Sequence, residues 1–389
     1  MGARPLSFEF ATATRIVFGA GKLREAGALA ASFGAHALLV ESGSGRTQPL
    51  VALLHEHGVA TTVFHVEGEP TITLVEQGTR AAREAECALV VAMGGGSVID
   101  AGKAIAALIT NEAPVRDYLE VVGQAQPLSE RPVPFIAIPT TAGTGAEVTR
   151  NAVMLAEEER VKVSLRSPLM LPAVALVDPE LTYSVPPDIT AWTGLDALTQ
   201  CLEPFVSPFG NPLTDGIARE GLVRAARSLR RAVSDGRDVA AREDMAVASL
   251  CGGLALANAK LGAVHGFAAP LGGMFPIPHG VACARLLAPV AEANVRALRE
   301  RHRGRAATAL RYEEVARALT NHANADAFEG VAALHQLVED LKVPRLGDYG
   351  VREADVSSVV AQAQRASSMQ GNPVVLTAEE LGAVLRAAL

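Results

Sequence analysis

The 389-residue sequence predicts a two-part fold, an α/β domain over residues 1–185 followed by an all-helical domain over residues 186–389. Three observations predict it. Short β-type runs alternate with helical patterns in the first half, the strand signal fades after about Pro186, and Ala/Leu/Arg/Glu-rich helical patterns continue from there to the C-terminus. No internal repeat or low-complexity linker separates the halves, so they should pack together with a cleft between them.

In chain order, residues 36–40, 61–64, 89–92 and 135–138 are short apolar runs of strand length and read as buried strands. Between them, residues 47–57 and Ile72–Glu84 carry apolar side chains at helical spacing and read as amphipathic helices. Strand and helix in alternation imply a parallel sheet with crossover helices.

Composition narrows the function classes. Hydrophobic residues make up 49% of the chain and its mean hydropathy is positive, which favours a packed globular protein over a disordered one. A formal charge of −7 and a pI near 5.8, with no Lys/Arg-rich block, leave no basic field for nucleic acid or an anionic membrane. Apolar runs such as residues 88–93 are soon broken by glycines, Asp100 and Lys103, too short to span a bilayer. The N-terminus lacks the zones of a signal peptide, so a cytoplasmic location is expected. Cys87, Cys201, Cys251 and Cys283 are scattered without a C-x-x-C pair and read as buried free thiols. Lysines are few, so Lys103 and Lys162 stand out as positions where a compact ammonium is needed.

Gly94-Gly95-Gly96-Ser97 falls between a strand and a helix starting near Val98. At such a turn exposed N–H groups and the helix dipole favour a phosphate, and glycines let the backbone approach it. Asp100 and Lys103 extend the pattern to G-G-G-S-x-x-D-x-x-K. A second small-residue loop, Thr140 to Glu147, follows the strand at 135–138 and supplies hydroxyl donors from Thr140, Thr141 and Thr144. Two such loops after two strands of one sheet suit a dinucleotide lying across the strand ends.

Nine histidines occur, of which His36, His55, His57, His65, His302, His322 and His335 sit among ordinary surface-type residues. His265 and His279 differ, each being followed by glycine, and Pro276-Ile277-Pro278 limits any helix running into His279. With Asp196 on a predicted helix they have the composition of a divalent-metal site. Gln200 lies four residues after Asp196, on the same helical face, and offers an amide oxygen. Phe267 and the Met274-Phe275 pair read as core residues that could alternatively wall an apolar substrate.

The combination resembles the iron-dependent, or group III, alcohol dehydrogenase family. The resemblance covers nearly the whole chain: Phe18-Gly19-x-Gly21, Gly94 to Lys103, Pro139-Thr140-Thr141-Ala142-Gly143-Thr144-Gly145-x-Glu147, Val177-Asp178-Pro179, Gly194 to Glu203, and His265 to Gly280. It implies an NAD(P)-binding α/β domain and a helical metal domain in a dehydroquinate synthase-like architecture, and hydride transfer between a nicotinamide and a small alcohol or carbonyl substrate. It also implies a homodimer. Gly94, Gly95, Gly96 and Ser97 would hold the pyrophosphate and Asp100 would approach the nicotinamide end. Thr140, Thr141 and Thr144 would line the cofactor cleft, with Lys162 near the ribose. Asp196, His265 and His279 match three of four ligands for Fe²⁺ or Zn²⁺, and the bound metal would polarise the substrate oxygen.

Three departures matter. The family's G-x-D-A-L-x-H-x-x-E has histidine where this chain has Gln200, a neutral and harder ligand. A second family histidine, four residues after His265, is Ala269 here. Where the family places a ribose-binding aspartate, the chain reads Glu41-Ser42-Gly43-Ser44 followed by Arg46; Glu41 would favour NAD, whereas Ser42 and Arg46 would admit NADP. Gln200 and the Leu271 to His279 run also fit a metal-independent maleylacetate reductase. A lyase of the dehydroquinate synthase type would need a basic phosphate cluster in the helical domain, for which only Lys260 speaks.

Overall fold

The computed structural model describes residues 6–43, 45–301 and 306–389; His302 lies outside them. Strands β1 (Arg15–Phe18), β2 (His36–Glu41), β3 (Ala60–His65), β4 (Leu89–Gly94), β5 (Phe135–Pro139) and β8 (Val174–Val177) form a parallel sheet in the order β1-β8-β5-β4-β2-β3. Helices α1 (Ala26–Ala31), α2 (Gln48–Glu56), α3 (Ile72–Glu84), α4 (Gly96–Thr110) and α5 (Val115–Tyr118) accompany these strands. Alternation along each strand sorts the apolar residues onto the two faces. Leu38, Val40, Val90 and Ala92 join α3 and α4 in one core, and Leu39, Val91, Ile136 and Leu176 join α1 and α2 in another. Burial on both faces explains why these strands read as continuous apolar runs.

From β2 the chain goes outward to β3 and returns on the other side of β2 as β4, so the strand order reverses between β2 and β4. Their C-terminal ends, Glu41 paired with Met93 and Gly94 paired with Pro139 of β5, open at one edge of the sheet. Ligands of open parallel sheets bind at this place.

The helix at 72–84 has the bounds its periodicity predicts, and Thr71 caps it by accepting the Leu74 N–H at 3.1 Å. The other helix is one residue shorter at each end than expected, as Gln48–Glu56. Sequence reading passed over two features. One is β1, a four-residue strand on β8; the other is an antiparallel hairpin, β6 (Asn151–Ala156) with β7 (Val161–Arg166), outside the main sheet.

The helical domain comprises α6 (Pro187–Val206), α7 (Pro212–Ser234), α8 (Val239–Ala259), α9 (Ala263–Met274), α10 (His279–Arg301), α11 (Ala306–Thr320), α12 (Ala327–Asp340), α13 (Val356–Ala363) and α14 (Ala378–Ala388). They share one core that includes Leu198, Phe205, Leu229, Phe267 and Leu287. The Pro276-Ile277-Pro278 run separates α9 from α10, as the rigid φ of proline and the missing N–H require. No single helix among the described residues is long and apolar enough to cross a membrane; α8 and α9 reach that composition only together, bent by 99°.

Candidate active site

The glycine turn follows β4 directly, and α4 begins at Gly96, two residues before the expected start. Gly95 is its N-cap and no side chain caps the helix, leaving the first-turn amides available for an anion. A Cβ on Gly96 would lie 2.8 Å from the Thr144 side chain, so the second loop closes over the turn. At Gly95 the nearest neighbour of a Cβ would be Thr141 Oγ1 at 3.7 Å, an ordinary contact. A cavity of about 210 Å³ lies beside this turn, lined by Ser42, Arg46, Thr47, Met93, Gly94 and Thr140. Ser97 is half-buried in the first turn of α4.

The rest of the G-G-G-S-x-x-D-x-x-K pattern turns inward. Lys103 is fully buried, and its Nζ donates to Ala146 O at 2.8 Å, Thr149 Oγ1 at 3.0 Å and Asn151 O at 2.8 Å. An ammonium is needed there to fasten the second loop to α4, three donors meeting three acceptors. Asp100 stands 3.6 Å from it and accepts the Val153 N–H at 3.0 Å, which ties α4 to β6. Burial, opposed by Lys103, raises the Asp100 pKa, and burial likewise lifts Glu147 to about 7.

Glu41 does not face an open cleft. Its carboxylate is buried, accepts the Thr47 hydroxyl and lies 3.1 Å from His65 Nδ1. Lys162, on β7, pairs with Glu69 at 2.7 Å and packs against Gly272 of α9, near enough to His279 for its charge to disfavour an imidazolium there. Lys260 stacks on Phe209 at 4.3 Å and donates to Gln370, away from any basic cluster.

The two loops of the α/β domain meet the helical domain through main chain and small residues. A Cβ on Gly143 would fall 2.7 Å from Thr193 of α6, and one on Gly145, whose φ is +58°, would fall 2.5 Å from the Gly253 Cα of α8. Asp196 lies three residues beyond Thr193, nearly one helical turn along the same face of α6. The second loop and the predicted metal donors are therefore neighbours.

Those donors converge. His265 Nε2 is 3.2 Å from Asp196 Oδ1, His279 Nε2 is 3.8 Å from Asp196 Oδ2, and the two rings are 5.4 Å apart. His265 is the third residue of α9 and His279 the first of α10, so the proline break between these helices aims both rings at α6. Glu203, two turns after Asp196, takes His265 Nδ1 at 2.7 Å and the Val264 N–H at 2.7 Å. That contact leaves Nε2 facing the cluster, the usual outer-shell device for a ligating histidine.

Sequence reasoning missed a fourth member, Cys283. It is buried and unpaired, as expected, but its Sγ lies 3.7 Å from His265 Nε2 and 3.6 Å from His279 Nε2. Its potential ligand atom and those of Asp196, His265 and His279 all lie within 4.8 Å of one another. The available signal was His-x-x-x-Cys from the first residue of a helix, a spacing that puts both side chains on one face.

Burial alone would raise the Asp196 pKa, but His279, His265 and the Gln200 amide bring it down to about 2. Burial also opposes charge on the imidazoles. At His265 the Cys283, Asp196 and Glu203 groups outweigh it and hold the pKa well above the ordinary value, whereas at His279 burial prevails. Cys283 is pushed up to about 12 by burial. Asp196 Oδ1, despite its nearness to His265, makes no properly aligned hydrogen bond, and the buried Gln200 Oε1 also has none. The unsatisfied Asp196 Oδ1 beside two imidazoles and a thiol fits a cation. Phe267 is fully buried in the helical core, so it forms no substrate wall; Met274 and Phe275 pack against the same core.

Residues 13–179 match the family model described as iron-containing alcohol dehydrogenase, and residues 190–389 match the C-terminal model of the Fe-containing alcohol dehydrogenase family. The chain belongs to the iron-containing alcohol dehydrogenase family. It is 35% identical to a choline dehydrogenase of Bacillus subtilis (strain 168) over 94% of this chain and 90% of that protein. A crystal structure of 1,3-propanediol oxidoreductase superposes with a TM-score of 0.91 at 34% identity, covering 99% of this chain and 100% of the other. Sulfoacetaldehyde reductase from Bifidobacterium kashiwanohense, in complex with NAD⁺, gives 0.86 at 32% identity, covering 98% and 99%. The chain is an NAD(P)-dependent oxidoreductase that interconverts an alcohol and an aldehyde or ketone by hydride transfer.

Proposed function

We propose that this dehydrogenase acts on small alcohols and carbonyls with a divalent metal held by Asp196, His265 and His279, and with NADP(H) as its preferred cofactor. The observation carrying the metal is the convergence of one buried carboxylate and two imidazole Nε2 atoms at 3.2 and 3.8 Å, oriented from behind by Glu203. When bound, the metal supplies Lewis-acid polarisation of the substrate oxygen. The chain's own residues do the rest. The glycine turn and first-turn amides of α4 hold the pyrophosphate, the loop from Thr140 to Gly145 positions the cofactor beside α6, and the packed core behind His265 excludes water. With Ala269 in place of the family histidine, α9 offers no imidazole for proton transfer at that position.

The cofactor choice rests on the end of β2. Glu41 is engaged by Thr47 and His65, and the cavity beside it is lined by Ser42 and Arg46 with no carboxylate among its described residues. A cation at this position suits a 2′-phosphate, and a carboxylate turned inward does not repel one.

The test is metal content of the purified protein together with NADPH and NADH oxidation on short aldehydes and keto acids. Chelation should remove the metal and most activity, and re-addition should restore both. His265→Ala and His279→Ala should lose bound metal and most turnover. Full activity in metal-free protein would favour the maleylacetate reductase-type reading instead.

A further inference from the structure

We propose that Cys283 is the fourth metal ligand of this chain, binding as a thiolate in place of the histidine that Gln200 replaces, so that an Asp-His-His-Cys centre takes Zn²⁺ or Co²⁺ in preference to Fe²⁺. The assignment rests on the metal reading above and adds the identity of the fourth donor and the ion it selects.

Four of the six ligand–ligand distances are close to those of a tetrahedron. With metal–nitrogen and metal–oxygen bonds of about 2.0–2.1 Å and a metal–sulfur bond of about 2.3 Å, tetrahedral ligands stand about 3.3 Å apart for nitrogen–oxygen pairs and about 3.5 Å apart for sulfur–nitrogen pairs. The sulfur–nitrogen edges here are 3.7 and 3.6 Å, and the nitrogen–oxygen edges are 3.2 and 3.8 Å. No large rearrangement is needed to accept an ion.

Hydrogen bonding leaves part of the cluster unsatisfied, the buried Asp196 Oδ1 among it. Both imidazole Nε2 atoms approach one sulfur, and a thiol has a single proton to give. Glu203 engages His265 Nδ1, which leaves Nε2 as the ring atom directed at the cluster. An ion in the middle satisfies both rings, the sulfur and the unpartnered Asp196 Oδ1 together. As the sulfur–metal bond forms, the thiol proton leaves to solvent.

Gln200 occupies a different place. Its Oε1 lies 3.5 Å from where a Gly252 Cβ would be, towards α8. Cys283, reached from α10 one turn after His279, brings the donor that position 200 lacks. A thiolate among two imidazoles and a carboxylate is a donor set for Zn²⁺, and softer than a set completed by an amide oxygen.

The experiment is the absorption spectrum of the full-length protein loaded with Co²⁺, with cobalt content measured in parallel. Wild type should show a near-ultraviolet sulfur-to-cobalt charge-transfer band, and Cys283→Ser should lose it. In competition titrations, Cys283→Ser should weaken Zn²⁺ about 100-fold, and Gln200→Ala by less than about threefold. Stoichiometric cobalt without the band in wild type would overturn the assignment while leaving the metal site standing. The reverse ranking of the two variants would also overturn it. No cobalt bound at all would overturn the metal reading itself, and the assignment with it. Because the first readout is made on wild type, a poorly folding variant does not protect the proposal.

Discussion

The Glu203 carboxylate lies 2.7 Å from Nδ1 of His265 while its other oxygen accepts the Val264 N–H at 2.7 Å. One buried side chain thus fixes both the first turn of α9 and the imidazole that the turn carries. Removing such a partner typically lowers metal affinity about 10–100-fold. Glu203→Ala should do so and also lose about 1–3 kcal/mol of stability, because the Val264 N–H is left unsatisfied. Glu203→Gln, which keeps an acceptor for that N–H, should lose less stability. A competition titration with a metal-sensitive dye checks the first statement, and unchanged affinity in the alanine variant would remove Glu203 from the site.

Gly95 lies in the glycine turn proposed to hold the pyrophosphate, at a position where a side chain would fit the protein. Its φ of −74° is open to any residue, and its Cβ would find nothing closer than 3.7 Å. Gly95→Val should therefore leave the thermal midpoint nearly unchanged and weaken cofactor binding by about tenfold or more, through loss of backbone approach. Fluorescence titration with the reduced cofactor measures this. Affinity within twofold of wild type would place the pyrophosphate elsewhere.

Arg46 lines the cavity at the end of β2. If it meets a 2′-phosphate, Arg46→Ala should lower kcat/KM for NADPH by about tenfold, a charge-assisted hydrogen bond being worth about 1.5–3 kcal/mol, and leave NADH nearly untouched. Equal losses with both cofactors would mean that the guanidinium contacts their common part.

Glu147 provides a test in stability. Its carboxyl is fully buried, and burial raises its pKa from 4.5 to about 7. Between those values the folded chain keeps a proton that the unfolded chain has released, so this group's contribution to stability falls as pH rises from about 4.5 to about 7 and is level above. The full swing is on the order of 3 kcal/mol. Glu147→Gln should therefore melt higher than wild type at pH 8 by a few degrees, with the advantage shrinking towards pH 4.5. An advantage that grows on acidification would mean that Lys103 holds the carboxylate ionised.

How much was legible in the chain follows from how local each signal is. The helix at 72–84 and the strands at 36–41 and 89–94 declare themselves through periodicity and composition, and the glycine turn through its place between strand and helix. Asp196, His265 and His279 could be nominated because glycine and proline punctuate their neighbourhood, although only packing of α6, α9 and α10 brings them together. Cys283 was hidden because an apolar helix makes any cysteine look like core, and its relation to His279 appears only once α10 is known to start at that histidine. Lys103 was recognised as unusual, but its three acceptors come from residues 146–151, more than forty positions away.

Gly145 and Gly253 touch through backbone atoms, with no side chain between them to change rotamer or yield. For anyone diversifying this enzyme, that contact is a joint between the domains that cannot be randomised. Bulk added at either glycine would wedge the two domains apart, and at Gly145 the left-handed backbone adds a second objection. Selection experiments should accordingly find almost no tolerated substitutions at this pair, whatever alcohol is used as bait.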